Sequence, residues 1–429
     1  MPVRMPRGAY LAVGLGMNLL LGTAYSWSVI KEGLIREFGN AGADDFTALL
    51  PFAAAMAMFA VGMVWAGRLV DRHGPRRVAL MGAAVFSAGY LLSSLMDRTP
   101  WPMVTLTLVY GGLVGLGTGF GYNPTITTAL RWFPVRKGLA SGIVVMGVGL
   151  SPVVTAPLAA FLIGLYGVPT TFLLLGLLFF ATLIPLALLL RFPLPDWQPP
   201  TELVARTRRA WKPFAEVETR TMLRSPLFWT AWTLYVLGTT QGFMIIGNAH
   251  TIAMELGSAS DSVATLAVIV LALFNSAGRP LFGPIADVWT PKRALFLMCV
   301  LLFGAMAILS VARDALTVFV GIALTGVVFG GFLAVMPALS TLYFGTKHSG
   351  ANYGVLFTAF GVGNIVALFA GGWIRADLGT FLPAFYIGMA LSAVGLLFSL
   401  GVKPPRIRAA PSAGPGGGQP TPRTSETVR

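Results

Sequence analysis

Apolar runs separated by short polar clusters dominate the chain. A helix that crosses a bilayer needs roughly 17–25 largely apolar residues. Runs of that kind recur at 9–31, 46–67, 78–96, 102–130, 138–163, 169–191, 227–250, 262–284, 294–312, 315–342, 350–373 and 381–401. Twelve spanning helices are therefore expected, and no interval between them holds a separate soluble catalytic domain. Residues 192–226 contain PLPDWQPP and ARTRRAWKPF and read as a linker on the water side. Residues 403–429 are rich in Pro, Gly and Ser and read as a disordered tail. The expected organisation is a six-helix bundle over 1–191, the linker over 192–226, a second six-helix bundle over 227–402, and the tail over 403–429.

Composition turns this all-α pattern into an integral membrane protein. Of the 429 residues 55% are hydrophobic and 11% charged, where a soluble domain carries roughly 25% charged residues. A formal net charge of +14 raises nucleic acid as a partner, but that reading needs the basic residues gathered on one folded, water-facing surface. Here they sit in short loops, so the partner they imply is the lipid bilayer. All but six of the 30 Lys and Arg fall on one side of the expected spans; Lys31, Arg36, Arg98, Arg313 and Arg375 lie on the other, and Arg279 lies inside the eighth. Positive loops stay cytoplasmic, so both termini are expected there, in the inner membrane of a prokaryotic cell. The N-terminal apolar run exceeds a signal-peptide core and lacks a clear small-residue cleavage site, so it reads as a retained first span. Cys299 is the single cysteine, which excludes an intramolecular disulfide and Cys-rich metal sites. The sequence sets no oligomeric state.

The two halves repeat. GRLVDRHGPRR at 67–77, after the second span, aligns without gaps to GPIADVWTPKR at 283–293, after the eighth; Gly67/Gly283, Asp71/Asp287, Pro75/Pro291 and Arg77/Arg293 match. WFPVRKGLASG at 132–142 is similar to YFGTKHSGANYG at 343–354. Repeated halves place a substrate pathway at their interface, near the bilayer midplane. The first of these loops resembles the loop signature of the major facilitator superfamily, which implies two pseudo-symmetric six-helix bundles. In that setting Gly67, Asp71, Arg72, Arg77, Gly283, Asp287 and Arg293 are candidate latch residues: glycine permits close helix approach, and the carboxylates accept bonds from neighbouring helix ends or arginines. A static clamp is the plainer reading of any one of them. TAYSWSVI at 23–30, GYNPTITTALRWFPVRKGLASG at 121–142 and NYGVLFTAFGVGN at 352–364 resemble the branch containing oxalate/formate antiporters and monocarboxylate transporters.

Arg279 stands apart from the other basic residues. A charge at the centre of a spanning helix costs on the order of 2.5–3.5 kcal/mol on insertion scales, so it faces a cavity or a partner. Snorkelling to the interface is the alternative. It is disfavoured because side chains tilt toward their helix N-terminus, here away from the cytoplasm, and the backbone lies roughly 12 Å inside if helix continues to Asp287. A guanidinium offers a planar fork that matches a carboxylate. Asn275, one turn earlier on the same face, is placed to hold that fork when the site is empty. Monocarboxylate transporters of animals have an aspartate at the position of Asn275, and the oxalate transporters have a second cation, a lysine, at the position of Phe360. One cation then balances one carboxylate, and a dicarboxylate would leave its second charge against an apolar ring.

Tyr122 and Tyr25 are further substrate-binding candidates through their hydroxyls, with packing between helices as the alternative. His250, in GNAHTIAM, is the candidate for proton coupling, since imidazole is the side chain suited to carry a proton near neutral pH; a solvated interfacial histidine is the plainer reading. No phosphate-binding glycine loop and no His/Cys/carboxylate cluster inside the spans is present, so no enzyme activity, cofactor, metal or nucleotide is implied. The reading that results is a secondary transporter of small monocarboxylates such as lactate or pyruvate, moved with a proton by alternating access around Arg279. An oxalate/formate-type exchanger of organic anions and, from another class, a transporter-like anion sensor are the alternatives.

Overall fold

The computed structural model of the protein describes residues 5–44, 47–194, 197, 216–258, 260–367 and 379–402. Most of the expected linker, Trp373, Arg375 and the whole 403–429 tail lie outside the described residues. Those described are helical, with no strand among them. The first span is built from Arg7–Leu21 and Trp27–Phe38, joined by a 3-10 turn at Gly22–Ser26. Leu50–His73 and Pro75–Ser93 form the second and third. The fourth runs through Pro102–Leu106, a π-helical segment Thr107–Val114, and Gly115–Trp132. Lys137–Leu189 contains the fifth and sixth, which part at Gly167. Pro226–Gly257, Asp261–Trp289, Pro291–Val311 and Ala315–Phe344 are the seventh to tenth. The eleventh opens with Ser349–Leu356 and continues through 358–367, and Leu382–Gly401 is the twelfth.

Helix starts follow local chemistry. Proline opens the second, third, fourth, seventh and ninth spans, where its missing N–H has no intrahelical partner to lose. Ser225 and Asp314 cap the seventh and tenth by accepting from the amides of Phe228 and Thr317. The fifth and sixth spans divide where Gly167 takes φ 77°, a left-handed conformation that glycine adopts at little cost. Glu37, at the end of the first span, accepts from the Val168 amide at 2.9 Å and so caps the new helix.

Two boundaries differ from the sequence expectation in a way that matters for the site. The second and eighth spans remain helical through Asp71 and Asp287, turning only at Gly74 (φ 81°) and Thr290 (φ 130°). Hydropathy marks where lipid ends, whereas backbone hydrogen bonding carries the helix further. Both aspartates therefore sit on rigid helix ends.

The exterior is apolar, with Leu108, Phe161 and Leu397 among the most exposed side chains. Between the bundles the backbones come close enough to exclude a side chain. A Cβ at Gly67 would meet the Gly350 carbonyl, joining the second span to the eleventh. Gly138 and Gly283 face each other in the same way across the fifth and eighth. One and three turns further along that contact, Gly142 lies on the backbone of Arg279 and Pro280, and Gly149 on Ser276, whose Oγ would be 2.6 Å from an added Cβ. Small residues at such crossings let van der Waals packing replace a hydrophobic drive that is absent in lipid.

Candidate functional site

Arg279 is fully buried. Its Nη1 donates to the Val145 carbonyl of the fifth span, and its Nη2 donates to Asn275 Oδ1 at 3.3 Å. The contact between Arg279 and Asn275 is the one expected from their one-turn spacing, and the inward burial excludes snorkelling. Val145 is the addition: the cation of one bundle bonds the backbone of the other. Arg279 Nε has no hydrogen-bond partner among the described residues.

Four phenols also feel this cation. Tyr25, Tyr122, Tyr235 and Tyr353, from the first, fourth, seventh and eleventh spans, all lie within electrostatic reach of Arg279. Two of the four, Tyr25 and Tyr122, were expected. Tyr235 and Tyr353 were not, although Tyr353 lies within the quoted NYGVLFTAFGVGN segment. His250 lies in the seventh span, which continues to Gly257.

Phenylalanines complete the centre. Phe357 and Phe360 stack with centroids 4.7 Å apart. Phe59 of the second span reaches Phe357 at 4.9 Å, and Phe243 of the seventh reaches Phe360 at 4.8 Å. Phe360 is buried in this ring cluster and brings no charge to it. Tyr122, Tyr235 and Tyr353 pack on this cluster, with centroids 5.7, 6.3 and 5.8 Å from Phe357.

Toward the end of the molecule bearing most of the basic residues, both aspartates of the repeated motif cap a helix of the opposite bundle. Asp71 accepts from the Gly350 and Ala351 amides at 3.2 and 2.8 Å, at the start of the eleventh span. Asp287 accepts from the Gly138 and Leu139 amides at 2.8 and 2.9 Å, at the start of the fifth. Unpaired N–H groups and the positive end of the helix dipole favour a carboxylate at both places. Asp71 also pairs with Arg131 Nη2 at 3.0 Å, and that guanidinium lies over the Phe192 ring. Arg131 was missed by sequence reading although it stands inside the quoted 121–142 stretch. Arg72, Arg77 and Arg293 are exposed and take no part in these caps.

Two bundles that meet around a buried cation and interlock at one face define a membrane transport protein of the twelve-helix kind. The family model of the Major Facilitator Superfamily matches residues 9–258 and 236–427, and the chain belongs to that family. Among its relatives is the oxalate:formate antiporter of Oxalobacter formigenes, 29% identical over 90% of each chain. Monocarboxylate transporter 13 of Rattus norvegicus is 26% identical over 90% of this chain and 89% of the relative. The fold is that of the proton:xylose symporter XylE, with a TM-score of 0.69 at 15% identity, covering 92% of this chain and 96% of the other.

Proposed function

We propose that the protein is a secondary active transporter of small monocarboxylates, of the size of lactate or pyruvate, with Arg279 binding the carboxylate. The observation that carries this reading is a buried guanidinium whose hydrogen-bond partners among the described residues are a backbone carbonyl and an amide oxygen, with no carboxylate paired to it. Neutral partners leave the positive charge uncompensated, and a carboxylate offers it two parallel charge-assisted bonds. Asn275 supports the same reading, since an aspartate there would compete with the substrate. Phe360 supports one carboxylate over two: a second negative charge would be buried against rings.

In this reading the basic face is cytoplasmic, and Gly67, Asp71, Gly283 and Asp287 latch it shut with Arg131. Transport alternates between that state and one in which the second and fifth spans part from the eleventh and eighth. Movement of the acid with a proton makes the cycle electroneutral, and His250 is the titratable candidate.

The test is uptake of labelled lactate into proteoliposomes with and without an inward proton gradient, for the intact protein and Arg279→Gln. The reading expects gradient-stimulated uptake that the substitution abolishes. Uptake that survives in Arg279→Gln would remove the carboxylate site; uptake indifferent to the gradient would remove the proton.

A further inference from the structure

The segment that joins the two bundles is fastened at both of its described ends, and both fastenings lead to Arg131. At the near end the Arg191 carbonyl accepts from Trp132 Nε1 at 2.8 Å, and Trp197 packs edge-on against Trp132 with centroids 5.1 Å apart. The Arg131 guanidinium carbon lies 3.8 Å from the centroid of the Phe192 ring. At the far end Glu216 accepts from the Thr346 and Lys347 amides at 3.1 and 2.8 Å and from the Thr346 hydroxyl at 3.2 Å. The next amide, that of Val217, donates to the Phe344 carbonyl at 2.9 Å. Asn352, buried in the first turn of the eleventh span, gives both ends of its amide to the same segment. Its Nδ2 donates to the Val217 carbonyl at 2.9 Å, and its Oδ1 accepts from the Thr219 hydroxyl at 2.8 Å. Met222, fully buried, anchors the short helix Thr219–Leu223 that follows.

These bonds fix the turn at 345–348, which leads into the receiving side of the Asp71 contact. Arg131 Nη2 donates to the Lys347 carbonyl at 3.3 Å, so the first bundle reaches the very residue whose amide Glu216 holds. Gly350 and Ala351, three and four residues on, present their amides to Asp71. Fixing a turn costs conformational entropy, and Glu216 offsets that cost inside the second bundle before the first one docks. Glu216 also lies within electrostatic reach of Arg131 and Lys137 of the first bundle.

Resting on the reading of this face as a latch, we propose that the two ends of the joining segment belong to it. Glu216 is a positioning residue that presets the 345–348 turn for Arg131 and Asp71, and Phe192 holds the Arg131 guanidinium toward that turn. A guanidinium stacks on an aromatic face while keeping its N–H groups free in the plane, which leaves Arg131 Nη2 directed at Asp71 and the Lys347 carbonyl. The segment between the bundles thereby sets the balance between the open and closed states of the basic face. Whatever draws Glu216 off the turn, or Phe192 off the arginine, favours opening, so the connection between the bundles is a control element of the transport cycle as well as a tether.

The experiment reads the contact between bundles at a place the joining segment does not touch. Ser141 is buried there and bonds the Gly138 and Ala334 carbonyls, so a loosening confined to the 345–348 turn leaves it covered. The rate of maleimide labelling of Ser141→Cys, in a full-length Cys299→Ser background, is measured alone and with Glu216→Gln, Phe192→Leu, Asp71→Asn, Arg131→Gln and the pair Glu216→Gln with Arg131→Gln. Glu216 is exposed, and each variant is first shown to keep its thermal midpoint. Glu216→Gln and Phe192→Leu are each expected to speed labelling about fivefold, the worth of one hydrogen bond. With Arg131→Gln already present, Glu216→Gln should add less than twofold, because residues of one network do not act additively. An unchanged rate in Glu216→Gln, or an effect of full size without Arg131, would overturn the positioning role; an unchanged rate in Phe192→Leu would remove the near end from the latch. Asp71→Asn separates this proposal from the reading beneath it. Acceleration there with none in Glu216→Gln leaves the latch standing and removes only the joining segment, whereas no acceleration in Asp71→Asn removes the latch and the proposal together.

Discussion

Replacing Asp71 with asparagine tests the interlock between bundles most cleanly, because shape is kept and charge is lost. Asp71 holds two amides at the start of the eleventh span and the Arg131 guanidinium. Its side chain is 8% exposed and that of Arg131 22%, so the pair is partly shielded from water. Its bonds to Gly350 and Ala351 exist only while the second and eleventh spans touch. Hydrogen bonds to charged groups contribute about 1.5–3 kcal/mol, and losing the equivalent of one shifts the balance between open and closed states about 10- to 150-fold. The assay is maleimide labelling from the basic face of Ser141→Cys in a Cys299→Ser background. Ser141 is buried at the contact between bundles, where its hydroxyl donates to the Ala334 carbonyl at 2.7 Å. Labelling is expected to accelerate by at least tenfold when Asp71→Asn is added, and similarly for Asp287→Asn. Rates within twofold of the parent in both, with the protein still folded, would refute the reasoning.

Other perturbations follow from the same geometry. Gly283→Ala places a methyl on the Gly138 carbonyl, an overpacking that costs about 1–3 kcal/mol; the same labelling assay should report a more open basic face. Asn275→Asp puts an acid on the fork of Arg279 and should raise the half-saturating substrate concentration at least tenfold in uptake measurements, more strongly as pH rises. Gly167→Ala forces a side chain into φ 77° and ψ 173°, a region costing about 1–3 kcal/mol, and should lower the thermal midpoint of the purified protein by a few degrees. Glu216 accepts from the Thr346 and Lys347 amides at 3.1 and 2.8 Å; Glu216→Gln should speed hydrogen exchange at both amides.

Much of this architecture was legible because lipid imposes a simple rule on composition. Long apolar runs located the spans, and the repeated Gly and Asp positions pointed to matched contacts. Arg279 was equally legible, since a lone charge inside a span needs a reason, and its spacing from Asn275 predicted their bond. What escaped were partners set by how the bundles meet. Arg131 is an ordinary loop-edge arginine until the second and fourth spans bring Asp71 beside it. Tyr235 and Tyr353 look like any tyrosine in an apolar run, and only the crossing of the seventh and eleventh spans places their hydroxyls near a cation. The Val145 carbonyl carries no signal in a side-chain alphabet. Hydropathy also misjudged the helix ends, placing Asp71 and Asp287 in loops where backbone bonding keeps them helical.

The most direct measurement of the central claim is equilibrium binding of lactate and pyruvate to the purified protein by calorimetry, comparing the intact chain with Arg279→Gln. A fork that binds the carboxylate predicts saturable binding to the intact protein and its loss, by a hundredfold or more, in a variant that stays folded and keeps its thermal midpoint. Equal affinity in the two proteins would contradict the account and place the anion elsewhere.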